Sequence, residues 1–207
     1  NTTYVHARLG VLSYQANDLD RAQTYLEKAA ALEPANGEHA YNLGLVQYRR
    51  EKYDAALTQF QAAITRGFVN YQVHYNLGLT QFHRERLDEA IASYQQSLAL
   101  NDQDPMVHLN LGLAYRKQGN LDLAVREYQA ALRLDPRSVS AHINLGVVYR
   151  LQGKTEQAAN EYRAALVIDP ENRAAKENLA LLESPPALAA ANPVPRPVPP
   201  AAETTRP

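Results

Sequence analysis

Residues 74–82, HYNLGLTQF, place apolar and polar side chains at the spacing of an amphipathic helix, and the pattern does not occur once. Its Asn-Leu-Gly core returns at 42–44, 110–112 and 144–146, a period of 34 residues. A partial echo, Arg8-Leu9-Gly10, lies one period earlier, and another, Asn178-Leu179-Ala180, one period after the last. Aligning the chain on Gly10, Gly44, Gly78, Gly112 and Gly146 brings further columns into register, which separates a true repeat from a coincidental tripeptide. Leu precedes every one of these glycines. Twelve residues after them stand Ala22, Ala56, Ala90, Ala124 and Ala158, and sixteen after stand Leu26, Phe60, Tyr94, Tyr128 and Tyr162. Nineteen after, the residue is small: Ala29, Ala63, Ser97, Ala131 or Ala165. The spacing predicts two helices in each period.

The first helix carries Leu-Gly in its middle, where Gly costs about 1 kcal/mol against Ala and is expected only if another backbone approaches closely. The second opens on Asp20, Asp54, Asp88, Asp122 or Glu156, acidic groups suited to the positive end of a helix dipole. It then sets Ala and an aromatic at i, i+4 on one face, so that small and large residues interlock. Asp104-Pro105, Asp135-Pro136 and Asp169-Pro170 read as an N-cap followed by Pro at the first helical position, each starting the next unit. Gly67 breaks the second unit instead.

These columns resemble the tetratricopeptide repeat family in their order (Leu-Gly, Ala, aromatic, small residue, Pro) and in their 34-residue period. The resemblance implies an all-α fold, a right-handed α-solenoid (superhelix) of antiparallel helix pairs. It implies five repeats at about 3–36, 37–70, 71–104, 105–138 and 139–170, closed by a capping helix over 171–183, so that 1–183 form one repeat domain. The chain departs from the family where Trp is usual four before the Gly, having His6, Ala40, His74, His108 and His142. The family's Tyr three after the Gly is present only as Tyr115 and Tyr149, and the second repeat has Phe68 and no Pro. Residues 184–207 hold eight of the twelve prolines and no helical periodicity, and read as an extended or disordered Pro/Ala-rich tail.

Composition narrows the function classes. Among 207 residues, Lys and Arg number 21 against 22 Asp and Glu, a net charge of −1 that gives no electrostatic reason to expect nucleic acid or an anionic membrane as partner. No run approaches the roughly 18 consecutive apolar residues of a membrane span, and no signal-peptide pattern is present. The sequence starts at Asn1 without Met, which reads as processing or trimming. With no Cys, disulfides, thiolate catalysis and Cys-ligated metals are excluded. Cytoplasmic and bacterial periplasmic settings both fit, with a slight lean to an exported protein.

Stacking the first helices side by side turns their columns into rows on the concave face. The Asn row is Asn42, Asn76, Asn110, Asn144 and Asn178, residues poorly suited to a helix interior. Each amide is expected to pair donor and acceptor with one peptide unit of a bound strand, in a manner similar to the asparagine ladder of O-linked N-acetylglucosamine transferase, or else to bond an adjacent helix or loop. Four residues after the Gly, Tyr14, Tyr48 and Phe82 give way to Arg116 and Arg150, with Lys117 beside the former. The family usually turns this column into the groove. One half would then be an aromatic floor completed by Tyr41 and Tyr75, the other a basic wall. In the competing reading the rings fill core space left by the missing Tyr column, and the Arg residues complement helix C-termini.

The family's clamp for a C-terminal carboxylate is not carried, since the columns that would need Lys and Asn hold Tyr41, Tyr75, Leu45 and Leu79. His6, His74, His108 and His142 stand one repeat apart, too far to share an ion whose ligands lie within ~2.1 Å of it. No metal site, cofactor site or catalytic motif is expected. The sequence therefore reads as a non-enzymatic protein–protein interaction module, a scaffold or adaptor that binds an extended peptide or partner segment in its concave groove. Two alternatives stay open: the recognition portion of a larger enzyme or assembly complex, and a self-assembling scaffold whose groove takes another copy's Pro-rich tail.

Overall fold

The computed structural model describes residues 2–183, and the tail expected at 184–207 lies outside them. Eleven α-helices and no strand are found among the described residues. They fall in two units. Residues 2–100 hold α1 (Thr2–Gln15), α2 (Leu19–Leu32), α3 (Gly37–Arg49), α4 (Tyr53–Thr65), α5 (Tyr71–His83) and α6 (Leu87–Leu100). Residues 101–183 hold α7 (Pro105–Gln118), α8 (Leu121–Leu134), α9 (Val139–Leu151), α10 (Thr155–Ile168) and α11 (Arg173–Glu183). Each odd-numbered helix up to α9 packs on the helix that follows it as a hairpin. Within the first unit α1 also touches α3 and α3 touches α5; within the second, α7 touches α9 and α9 touches α11. The first helices of successive hairpins thus lie side by side in each unit.

Local chemistry starts these first helices in one repeated way. The side chains of Asn36, Asn70, Asp104, Ser138 and Asn172, spaced by 34 residues, accept from Glu38 N (3.0 Å), Val73 N (2.9 Å), Met106 N (2.9 Å), Ala141 N (3.4 Å) and Ala175 N (3.1 Å). Asp104-Pro105 is the cap expected from the sequence, but the same assignment at Asp135 and Asp169 is corrected. Those residues end α8 and α10, and their carboxylates bond Arg137 N and Glu171 N inside the following turn. The caps proper are Ser138 and Asn172, three residues further on.

The hairpin core explains the Leu-Gly column. A Cβ added to Gly44, Gly112 or Gly146 would lie 2.5–2.6 Å from a ring carbon of Phe60, Tyr128 or Tyr162, and one at Gly78 would lie 2.7 Å from Tyr94. What approaches is therefore the aromatic sixteen residues later rather than a neighbouring backbone. Those rings are fully buried, and burying each contributes about 1.5–3 kcal/mol. This outweighs the helix cost of the glycine.

Turns within the hairpins require a left-handed residue seven positions after the Gly. In the first unit it is Asn17 (φ 60°), Glu51 (φ 58°) or Glu85 (φ 60°), and in the second Gly119 (φ 88°) or Gly153 (φ 75°). Only the second unit places there the residue that adopts this conformation without strain.

Candidate functional site on the first helices

In the first unit, the column four after the Gly is core. Tyr14, Tyr48 and Phe82 are none of them more than 7% exposed, and Tyr41 and Tyr75 are equally buried. The Arg49 guanidinium of the next hairpin sits 4.3 Å from the Tyr14 ring centroid, and its Nη1 donates to the Tyr14 carbonyl at 3.2 Å. Tyr48 meets Tyr53 and His83 edge-on at 5.8 and 5.6 Å, closing the junction between the second and third hairpins. Tyr41 packs against Phe60 and Phe68 at 5.9 and 5.5 Å, and Tyr75 against Tyr94 at 6.1 Å. Burial pushes the Tyr48 phenol well above its usual pKa, with Tyr53 and Tyr14 adding to the shift. These packed rings fit the competing reading, in which they fill core space at the junctions. The physical reason is the column before it, where Ser13, Gln47 and Gln81 supply no ring to fill the junction.

The second unit differs. Tyr115 and Tyr149 take that earlier column and are buried, which leaves the next position to Arg116 and Arg150. Arg116 is only 9% exposed and Arg150 half-buried. Nε and Nη2 of Arg116, Nε of Arg150 and the hydroxyls of Tyr128 and Tyr162 are all shut from solvent, with the Tyr128 hydroxyl set against Arg116 and the Tyr162 hydroxyl against Arg150. Burial lowers the pKa of Arg116; the Tyr128 and Tyr162 hydroxyls oppose the shift and the like charge of Arg150 adds to it. The Tyr162 phenol is raised by burial and held back by Arg150 and Arg116. No carboxylate acts on Arg116. Both Arg residues do lie in the last turn of their helix, where the dipole favours a cation. A dipole does not require the cation to be buried, however. Lys117 is half-buried beside them.

The Asn row spans both units and is largely inaccessible. Asn76, Asn110, Asn144 and Asn178 are buried, with Asn76 only 1% exposed, and Asn42 is half-buried. The amide nitrogens of Asn76, Asn144 and Asn178 donate to the carbonyls four residues earlier, Gln72 (2.9 Å), Ser140 (2.8 Å) and Ala174 (2.9 Å). Asn76 also donates to the Tyr41 hydroxyl at 3.1 Å. Their own helices have therefore engaged these donors. Oδ1 of Asn76 and of Asn144 is buried without a partner. For these three amides the bonds fit the competing reading, in which the row bonds within the protein.

Sequence reasoning missed a set of ties between hairpins. Arg50 pairs with Asp20 and Arg84 with Asp54, and Gln152 Nε2 donates to Asp122 Oδ1 at 2.8 Å. The partners are one repeat-related pair of columns, which the period could have exposed. In the second unit His108 and His142 each meet a glutamate of their own hairpin, Glu127 and Glu161, at 2.7 Å. No described helix is long and apolar enough to cross a membrane.

The repeated hairpins are matched by models of a known repeat family. The family model described as tetratricopeptide repeat matches residues 8–68 and 41–105, a second with that description matches 139–172, and one described as TPR repeat matches 112–153. This chain belongs to the tetratricopeptide repeat family. Among solved structures of that family it is similar to YrrB, described as a TPR protein with an unusual peptide-binding site. The two are 27% identical over 83% of this chain and 89% of that one, with a TM-score of 0.74. It also resembles the MamA protein (23% identity, 82% of this chain and 93% of that one, TM-score 0.74) and MamA 41-end from Desulfovibrio magneticus RS-1 (19%, 84% and 98%, TM-score 0.78). The MamA likeness concerns the fold alone. No curated protein matches the chain. The fold is that of an all-helical solenoid, and such repeats are a protein-interaction scaffold, typically without catalysis.

Proposed function

We propose that this tetratricopeptide repeat protein holds a segment of a partner protein along its first helices and acts as a scaffold or adaptor. One observation carries the reading: successive first helices of the second unit place two cations, Arg116 and Arg150, in one column without an acidic partner. A column needed only for packing would hold apolar residues, as the first unit does at the same place. The unusual peptide-binding site attributed to YrrB supports the same use of the fold, at an identity of 27%.

Selection of a random peptide library on the full chain tests the proposal. Selected peptides should lose about tenfold or more in affinity when Arg150 and Lys117 on the first helices are replaced by Ala, the ~1.4 kcal/mol scale of a charged contact. Replacing Leu123, exposed on α8, by Ala should leave them unaffected. If binding follows Leu123 and ignores Arg150 and Lys117, the working surface lies on the second helices and the proposal is wrong.

A further inference from the structure

The column three after the Gly separates the units in what its side chain touches. In the second unit it holds Tyr149, only 7% exposed, whose hydroxyl accepts from Gln129 Nε2 of the preceding α8 at 3.1 Å. Lys154 Nζ lies 5.7 Å from the centroid of the same ring. Two periods earlier the column holds Gln81. Its amide bonds the Ser93 hydroxyl of α6 at 2.6 Å, so it turns within its own hairpin where Tyr149 reaches back to the one before. A groove of about 680 Å³ opens between α4, α5 and α6 at this place, lined by the buried Leu77 and Gln81 and by the exposed Gln61, Arg86 and Glu89 among others.

Two of those lining residues have a known use one unit further on. Gln61 stands two periods before Gln129, and Arg86 two periods before Lys154. The positions that meet the hydroxyl and the face of Tyr149 therefore both line the groove, in which the column itself supplies Gln81 instead of a ring. Arg86 Nη1 lies 3.5 Å from Glu89 Oε2, which holds the cation at the groove. An amide donor and a cation suit a group that has an acceptor hydroxyl and an electron-rich face, and a phenol has both. An aliphatic side chain has neither. A cationic group would be repelled by Arg86 and by Arg66, which also lines the groove. We propose that this groove binds a tyrosine side chain of a partner protein, with Gln61 donating to the phenol hydroxyl and Arg86 over the ring. The site uses none of Arg116, Arg150 and Lys117, and it stands whether or not those residues carry a partner.

Titration of the full chain with acetylated, amidated Gly-Tyr-Gly, Gly-Phe-Gly and Gly-Leu-Gly, followed by amide NMR shifts, tests it. The tyrosine probe should shift amides of α4 and α6 saturably. The phenylalanine probe should bind about two- to tenfold more weakly, the scale of one hydrogen bond, and the leucine probe more weakly still. Gln61→Ala should bring the tyrosine probe down to the phenylalanine level and leave the phenylalanine probe unchanged. Gln81→Tyr should set the chain's own ring in the groove, as Tyr149 is set, and abolish binding of the tyrosine probe. Equal binding of the three probes, or undiminished binding of the tyrosine probe to folded Gln81→Tyr, overturns the site. Should Gln81→Tyr fail to fold, Gln61→Ala decides alone: a tyrosine preference that persists in it overturns the site, and its loss upholds it. Saturable binding of p-cresol without binding of the tyrosine peptide would show that the groove takes a free phenol, and would overturn the partner's tyrosine as its occupant.

Discussion

In the first unit the hairpin junctions are filled by Tyr14, Tyr48 and Phe82, four residues after the Gly, with Ser13, Gln47 and Gln81 in the position before. In the second unit the rings are Tyr115 and Tyr149, three after the Gly, and the next position is Arg116 or Arg150. A shift of one residue turns a side chain by about 100° around its helix. Yet the rings are buried alike in both units. The packing demand is for one ring per hairpin and is met from either side; what changes is the residue that the other position can hold. In the first unit the spare position takes a polar side chain such as Gln81, whose amide bonds the Ser93 hydroxyl at 2.6 Å. In the second it takes a cation without a counterion. Chemistry is free to vary where the ring is absent.

If the two columns are equivalent in packing, removing a ring from either should cost the same. Tyr48→Ala and Tyr115→Ala should each destabilise by about 3–5 kcal/mol, the range for deleting a buried aromatic, read as a lowered urea midpoint by circular dichroism. Near-full cost for Tyr115→Ala with less than about 1 kcal/mol for Tyr48→Ala would break the comparison. The rings of the first unit would then be groove residues after all.

The hairpin turns offer a second contrast. Glu51 is exposed and held at φ 58°, whereas the equivalent Gly119 sits at φ 88° with open space where a Cβ would be. A left-handed non-glycine costs about 1–2 kcal/mol, and Gly returns part of that as unfolded-chain entropy. Glu51→Gly should therefore raise stability by roughly 1 kcal/mol and Gly119→Glu lower it by about 1–2 kcal/mol. Opposite signs in thermal unfolding sharpen the comparison; a loss from both substitutions would show that Glu51 makes a contribution beyond its backbone.

The helix pairing was legible because it is written in columns: the Leu-Gly, Ala, aromatic and small positions each recur at 34 residues, and a column survives single exceptions such as Leu26. Errors came where a local motif was read without its column. Asp135-Pro136 and Asp169-Pro170 look like helix starts, but Asp104 carried forward by one period gives Ser138 and then Asn172, the observed caps. The site was less legible for a different reason. Whether a ring at Tyr48 faces a groove or a junction depends on helix rotation, which Tyr48 alone does not specify. The Asn amides turned on a rotamer: folded back, Nδ2 reaches the carbonyl one turn earlier, an option open to any helical Asn. That Arg116 lacks a counterion followed from what surrounds it in space, which the column alone does not contain.

The smallest expected effects concern those amides. Asn144→Ala removes one bond to the Ser140 carbonyl, worth about 0.5–1.5 kcal/mol, but also removes a buried oxygen without a partner, whose penalty is of similar size or larger. Exchanging Asn for Ala in a helix interior adds several tenths of a kcal/mol in favour of the helix. Stability should hold or rise by less than about 1 kcal/mol. Asn76→Ala deletes the same kind of bond and, in addition, the one to the Tyr41 hydroxyl, so it should rank below Asn144→Ala by about 0.5–1.5 kcal/mol. Thermal melts of the two variants beside the parent read this order directly. Peptide affinity should be nearly unchanged in Asn144→Ala, because its donor is already engaged by its own helix. Should that variant keep its stability and lose its peptides, the amide must swing out to the ligand, and the row of asparagines rather than the arginine pair would be the working surface.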